Sequence, residues 1–255
     1  MRGAAVLLGL VAAATSAEAQ EPAWATSRTP RGVSAELALS GDARLKAQCD
    51  AGTIYLLLYG PGVAGLPDEV TAQARPGDAP EVTGSWLRWD EGGPLLSRTP
   101  ARNIRAVLRM DHLVLPLGPW RGDPAATFGA DLPADDGPLR AVLEDCGEPA
   151  ASERDRPPEE VVAAAREAEL TPIWSRAPAP RFPETARRAG QTRGEVWINC
   201  RIGSGGVLTD CRAESAFPAG YGFAEAALAA ASTSRLHGGV EGGHVAFRVA
   251  FRMAG

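Results

Sequence analysis

The sequence predicts an α+β protein in two parts. The first part is mainly β, of sandwich or barrel type, and the second is a shorter tail that reads helix, hairpin, helix, strand. Three observations carry this. Short apolar or alternating runs separated by turn clusters fill residues 31–147. A proline- and charge-rich stretch, residues 148–180, then interrupts them. From residue 181 to 255 the apolar spacing switches between helical and strand periods.

The first residues set the expected compartment. Arg2 supplies a positive start, Gly3 to Ala14 is an apolar run, and Ala17-Glu18-Ala19 is an A-x-A cleavage pattern. This order predicts an export signal over residues 1–19, a mature chain from Gln20, and a periplasmic address. The apolar run is shorter than the roughly 20 residues a spanning helix needs. No later stretch is long and apolar enough, so no stable membrane insertion is expected after cleavage. Four cysteines, Cys49, Cys146, Cys200 and Cys211, fit an oxidising compartment as two structural disulfides. They lack the C-x-x-C clusters of metal or redox sites. The formal charge of −5 argues against a nucleic-acid surface.

In the first part, the runs Ala35 to Leu39, Thr53 to Tyr59, Glu81 to Trp89, Ile104 to Met110 and Leu113 to Leu117 read as strands. Pro61-Gly62, Pro76-Gly77-Asp78 and Glu91-Gly92-Gly93-Pro94 read as turns between them. Gly137 to Cys146 reads as a helix stopped by Gly147. Cys49 precedes the first strong strand and Cys146 ends this helix. A bridge between them would tie the start of the domain to its end, worth roughly 4–5 kcal/mol as an upper figure. In the linker, Pro158 to Leu170 carries the signals of one short helix: Pro first, acids in the first turn, an Ala-rich body.

The tail opens with a helix over Pro183 to Gly190. Gly194 to Ile202 alternates, with Val196, Ile198, Cys200 and Ile202 on one face and Trp197, Asn199 and Arg201 on the other. Gly203-Ser204-Gly205-Gly206 is a hairpin turn. The return strand, Val207 to Glu214, sets Val207, Thr209, Cys211 and Ala213 on one face. A symmetric loop would make Cys200 and Cys211 direct cross-strand neighbours, about 4.5–5.5 Å apart, within disulfide reach. A bulged three-residue loop would offset them. Cys200–Cys211 with Cys49–Cys146 is therefore the preferred pairing. Phe223 to Ser234 is an Ala-rich helix, with Phe223, Ala227 and Leu228 spaced for burial. His244 to Met253 alternates again, with Val245, Phe247, Val249 and Phe251 inward and Arg248 and Arg252 outward.

These residues resemble a known family. Pro180-Arg181-Phe182-Pro183-Glu184-Thr185-Ala186, followed by Gly190 and Gly194-Glu195-Val196, is similar to the P-x-Y/F-P-x-x-A opening of TonB C-terminal domains with its later G-x-V. Gly206 to Cys211 matches the family's hairpin. Glu214-Ser215 sits at a usual strand end. Pro218 to Leu228 resembles a subgroup in which a Gly- and aromatic-containing stretch opens the second helix and paired cysteines mark the hairpin. The resemblance covers about the last 75 residues. It implies a two-layer α/β domain, with helices on one face of a small antiparallel sheet. It also implies that a segment of an outer-membrane receptor is taken up as an extra strand on a sheet edge. The last strand and the strand Val207 to Glu214 are both open as that edge. Arg235-Leu236-His237-Gly238 lacks the proline usual after the second helix. The uncleaved membrane helix and long Pro-rich arm of an energy transducer are not seen.

The functional expectation is a periplasmic protein-interaction module that binds envelope or outer-membrane receptor proteins, with no cofactor and no catalytic activity. Two alternatives are a component of a TonB energy-transducing system, anchored in the inner membrane and serving transmembrane transport, and a hydrolase in the first domain. Against the last, His112, His237 and His244 lie near no nucleophile elbow and form no metal spacing. Asp90-Glu91 and Asp135-Asp136 are loop pairs not placed for acid–base work. Gly203-Ser204-Gly205-Gly206 lacks the Lys and helix of a phosphate loop. Arg187, Arg188, Arg193 and Arg201 read as a solvated face, with a basic strip for an acidic partner as the alternative.

Overall fold

A computed structural model describes residues 22–72, 84–119, 123–155, 174–238 and 241–253. The expected export signal, the expected linker helix over Pro158 to Leu170 and the turn Pro76-Gly77-Asp78 lie outside the described residues.

Period-two alternation builds a large curled sheet from the first part. Its strands are β1 (Ala25–Thr29), β2 (Gly32–Leu39), β3 (Ala43–Asp50), β4 (Thr53–Tyr59), β5 (Glu69–Ala72), β6 (Gly84–Arg88), β7 (Leu95–Ser97), β8 (His112–Gly118) and β9 (Ala126–Asp131). They pair antiparallel in the order β1-β2-β3-β4-β7-β6-β5-β8-β9. The curl brings the far end back to the start. Gly129 of β9 accepts from the Ser40 amide at 2.9 Å and donates to the Ser40 hydroxyl at 2.9 Å. The β3–β4 hairpin turns on Ala51 and Gly52, both at positive φ (50° and 77°), the primed geometry that matches strand twist. A short helix α1 (Pro61–Ala64), α2 (Pro100–Val107) and α3 (Gly137–Asp145) complete this part. Trp86, Leu45, Leu56, Leu58, Leu95, Ile104, Leu113, Leu115 and Leu117 fill its core.

Three expectations for this part are corrected. Ile104 to Met110 is not a strand but lies on and after α2. Pro100 presets the first turn, and Ala101, Ile104 and Val107 recur at helical spacing onto the core. Cys49 does precede the Thr53–Tyr59 strand, but it lies within a further strand not expected from the sequence, β3, whose Ala43, Leu45, Ala47 and Cys49 are buried in strict alternation. Pro61-Gly62 opens α1 instead of a bare turn.

The tail has a separate apolar cluster of Val196, Ile198, Cys200, Phe223, Ala227, Phe247, Val249 and Phe251. Its elements are β10 (Trp174–Arg176), α4 (Glu184–Arg188), β11 (Arg193–Ile202), β12 (Leu208–Phe217), α5 (Phe223–Ala231), β13 (Arg235–Leu236) and β14 (His244–Arg252). β12, β11 and β14 form an antiparallel sheet in that order, and β10 pairs with β13. Phe182 and Phe223 meet edge to face at 5.4 Å, and Phe223 reaches Phe251 at 5.0 Å. The ring of Phe223 covers Gly194, where a Cβ would lie 2.4 Å from it.

The faces of β12 differ from the expected ones. Leu208 is buried opposite Ile202, and Thr209 is exposed opposite Arg201. Asp210, at φ 46°, then bulges out of register and returns Cys211 to the apolar side. A second irregularity at Glu214 puts Ser215 opposite Trp197.

Candidate functional site

The structure joins Cys49 to Cys146 and Cys200 to Cys211, with Cα separations of 5.6 and 4.0 Å. The first ties β3 to the end of α3. The second crosses β11 and β12 at the Asp210 bulge. Such bridges fit an oxidising compartment. Among the described residues, no helix is long and apolar enough to cross a membrane.

The titratable residues singled out in the sequence do not converge. His112 pairs with Asp131 on the surface at 2.7 Å, His237 lies beside the Gly205-Gly206 turn, and His244 starts β14. Burial, with Arg154 and Arg201 nearby, holds His244 below its ordinary pKa. Asp135 accepts the Gly137 amide, and Asp136 pairs with Arg140. Among the described residues no group of three His, Cys, Asp or Glu is arranged to hold a metal. A cleft of about 520 Å³ lies between α1 and β4, lined by Lys46, Tyr59 and Arg88 among others. The Arg88 guanidinium already bonds the carbonyls of Val63, Leu66 and Gly93. The Tyr59 hydroxyl donates to Glu36 at 2.5 Å; burial and that carboxylate raise its pKa to about 12.

The polar face of the tail sheet is where the two parts meet. Trp197 and Asn199 lie on that face, as their alternation predicts, and the first part covers it. Arg98, 5% exposed in its side chain, donates to Glu195 at 2.6 Å and its guanidinium lies over Trp197. Ser215 donates its hydroxyl to the Arg98 carbonyl at 2.8 Å. Arg105, just after the middle of α2, pairs with Asp155 at 2.6 Å and with Glu148 at 3.2 Å. Glu214 bulges toward this group, and its pKa is raised because burial outweighs the pull of Arg105, with Glu148 and Asp155 adding to the rise. Arg154 bonds the Asp210 carboxylate and its carbonyl, and the Asn199 carbonyl.

These contacts distinguish the two edges of the tail sheet. β12 is interrupted by two register shifts, and one of its carbonyls is taken by Arg154. Just before its start, Val207 bridges to Arg235. β14 pairs with β11 through nine successive positions, Arg193↔Arg252 to Arg201↔His244, without a shift. Among the described residues nothing hydrogen-bonds the backbone on its outer side. Its exposed positions are Ala246, Arg248, Ala250 and Arg252. Sequence reasoning left both edges open because a bulge has only weak local signals. The one available was Asp at 210, a residue type tolerant of left-handed φ.

The arginines read as a solvated face, with one basic strip as the alternative, are divided. Arg187 and Arg188 pair with Glu184 on α4. Arg193 stacks on Trp89 at 4.6 Å and donates to the Trp89 carbonyl at 2.6 Å. Arg201 is exposed near the hairpin.

Compared with known protein families and with curated proteins, the chain matches no family model and no curated relative.

Proposed function

We propose that the chain is a periplasmic protein-interaction module whose tail, similar to a TonB C-terminal domain, takes up an extended segment of an envelope protein as an added strand beside β14. One observation carries this reading most. β14 is a regular, unshifted edge strand whose outer backbone is unpartnered among the described residues. Such a row of N–H and C=O groups is a template for another strand. The apolar face of the sheet is occupied by α5 and its aromatic cluster, and the β11–β12 part of the other face by the first part through Arg98 and α2. Binding is thereby directed to an edge, and the bulges of β12 disfavour the other one. The helix–hairpin–helix–strand order agrees with what the sequence resemblance implies, and the two disulfides agree with a periplasmic address.

A photoreactive side chain at the exposed Ala250 tests this in the periplasm. The expected result is crosslinking to a discrete outer-membrane or envelope protein, with none from the same probe at Thr209 on β12. Equal crosslinking from both positions, or none from Ala250, would overturn the reading.

A further inference from the structure

At the end of the unpaired edge two arginines face each other. Arg193 of β11 and Arg252 of β14 are direct cross-strand partners. Like charges in that position repel and destabilise a sheet. Among the described residues neither has a carboxylate partner, whereas Arg248, two same-face steps back at 47% exposure, leans on Glu195 and Glu69 at 3.5 and 3.6 Å. Arg193 is held in place by Trp89, through its ring and its carbonyl. Arg252 is exposed. The imbalance extends through the tail: residues 174–255 hold ten arginines against six carboxylates, in a chain of net charge −5. Of those carboxylates, Glu184, Glu195 and Asp210 are already paired, and Glu214 is half-buried.

We propose that the β14 edge selects an extended segment carrying a carboxylate in register with Arg252 and Arg193. Resting on the strand-addition reading, this adds the chemical character of the partner. An added strand places alternate side chains on each face. On the helix side they continue the layer of Val249 and Phe251, beside the partly buried Phe182. On the other side the position facing Arg252 meets its exposed guanidinium, with Arg193 one strand further in, and an Asp or Glu there gives Arg252 a charge-assisted partner that offsets the like-charge pair. The same arginines disfavour a second copy as the occupant. Antiparallel self-pairing centred on Arg248 or Ala250 sets Arg against Arg.

Labelled peptides of about nine residues, matching the length of β14 and within the range of natural strands, test this against the exported full-length chain at low salt. Each alternates valine and threonine, with Glu, Gln or Lys at the position due to face Arg252. The Glu peptide is expected to bind roughly fivefold tighter than the Gln peptide, and the Lys peptide weakest. Arg252→Glu should invert this order, and Arg252→Gln should flatten it, with circular dichroism checking that both variants fold. Equal binding of all three peptides would overturn charge selection and leave strand addition standing. Binding of none would overturn both. Binding to anionic phospholipid vesicles that Arg252→Glu abolishes, with no preference among the peptides, would assign the pair to a membrane surface and overturn the proposal.

Discussion

Gly194 and Glu214 show how single residues set the tail. Gly194 belongs to the G-x-V that marks the start of β11, and the structure supplies its physical reason: the Phe223 ring occupies the space of a side chain. Gly194→Ala should therefore cost about 1–3 kcal/mol by overpacking. Chemical denaturation reads that loss, and Phe223→Leu in the same background should recover part of it. Glu214 works in the opposite sense. Its raised pKa means that the folded state favours the protonated form, so its contribution is full below the unfolded pKa and fades as pH rises through the folded one. Glu214→Gln removes that loss. Its melting temperature should exceed that of the native protein at pH 7.5, with the difference closing near pH 4. An equal offset at both pH values would contradict the assignment.

At the level of elements, the hairpin β11–β12 is held by its bridge more than by its turn. The Asp210 bulge breaks the ladder beside the Cys200–Cys211 pair, and the apolar cluster above it is small. Replacing both cysteines with serine should lower stability by roughly 2–3 kcal/mol, measured by guanidinium denaturation. An unchanged midpoint would mean that the sheet holds this register without the bridge. β14 needs no such support, because its alternation from Val245 to Phe251 matches β11 position by position. α2 was misread because Ile104, Val107 and Leu108 also fit a short apolar run. Only Pro100 and the burial of Ala101, Ile104 and Val107 on one side separate the two periods.

For the whole molecule, the meeting of the two parts depends on Arg98 and Glu195. Both are nearly excluded from water, at 5% and 11% side-chain exposure, and they bond at 2.6 Å. Removing Arg98 leaves Glu195 only the longer contact with the half-exposed Arg248. Arg98→Ala should cost roughly 3 kcal/mol in urea denaturation, and adding Glu195→Gln should restore part of it. A double variant no more stable than the single one would show that packing against Trp197, rather than charge, holds this face.

By itself the sequence determined the strand-rich character of the chain, the order of elements in the tail and the apolar faces of β11 and β14. Each of these rests on local periodicity, which a side chain's polarity encodes directly. Only the tertiary structure decided that Trp197 and Asn199 face the first part, that Glu214 is half-buried beside Arg105, and that β14 rather than β12 keeps an unbroken edge. Those outcomes depend on bulges and on charged partners far away in the chain, such as Arg98 against Glu195. Such contacts leave no periodic trace, because the residues that make them become neighbours only after folding.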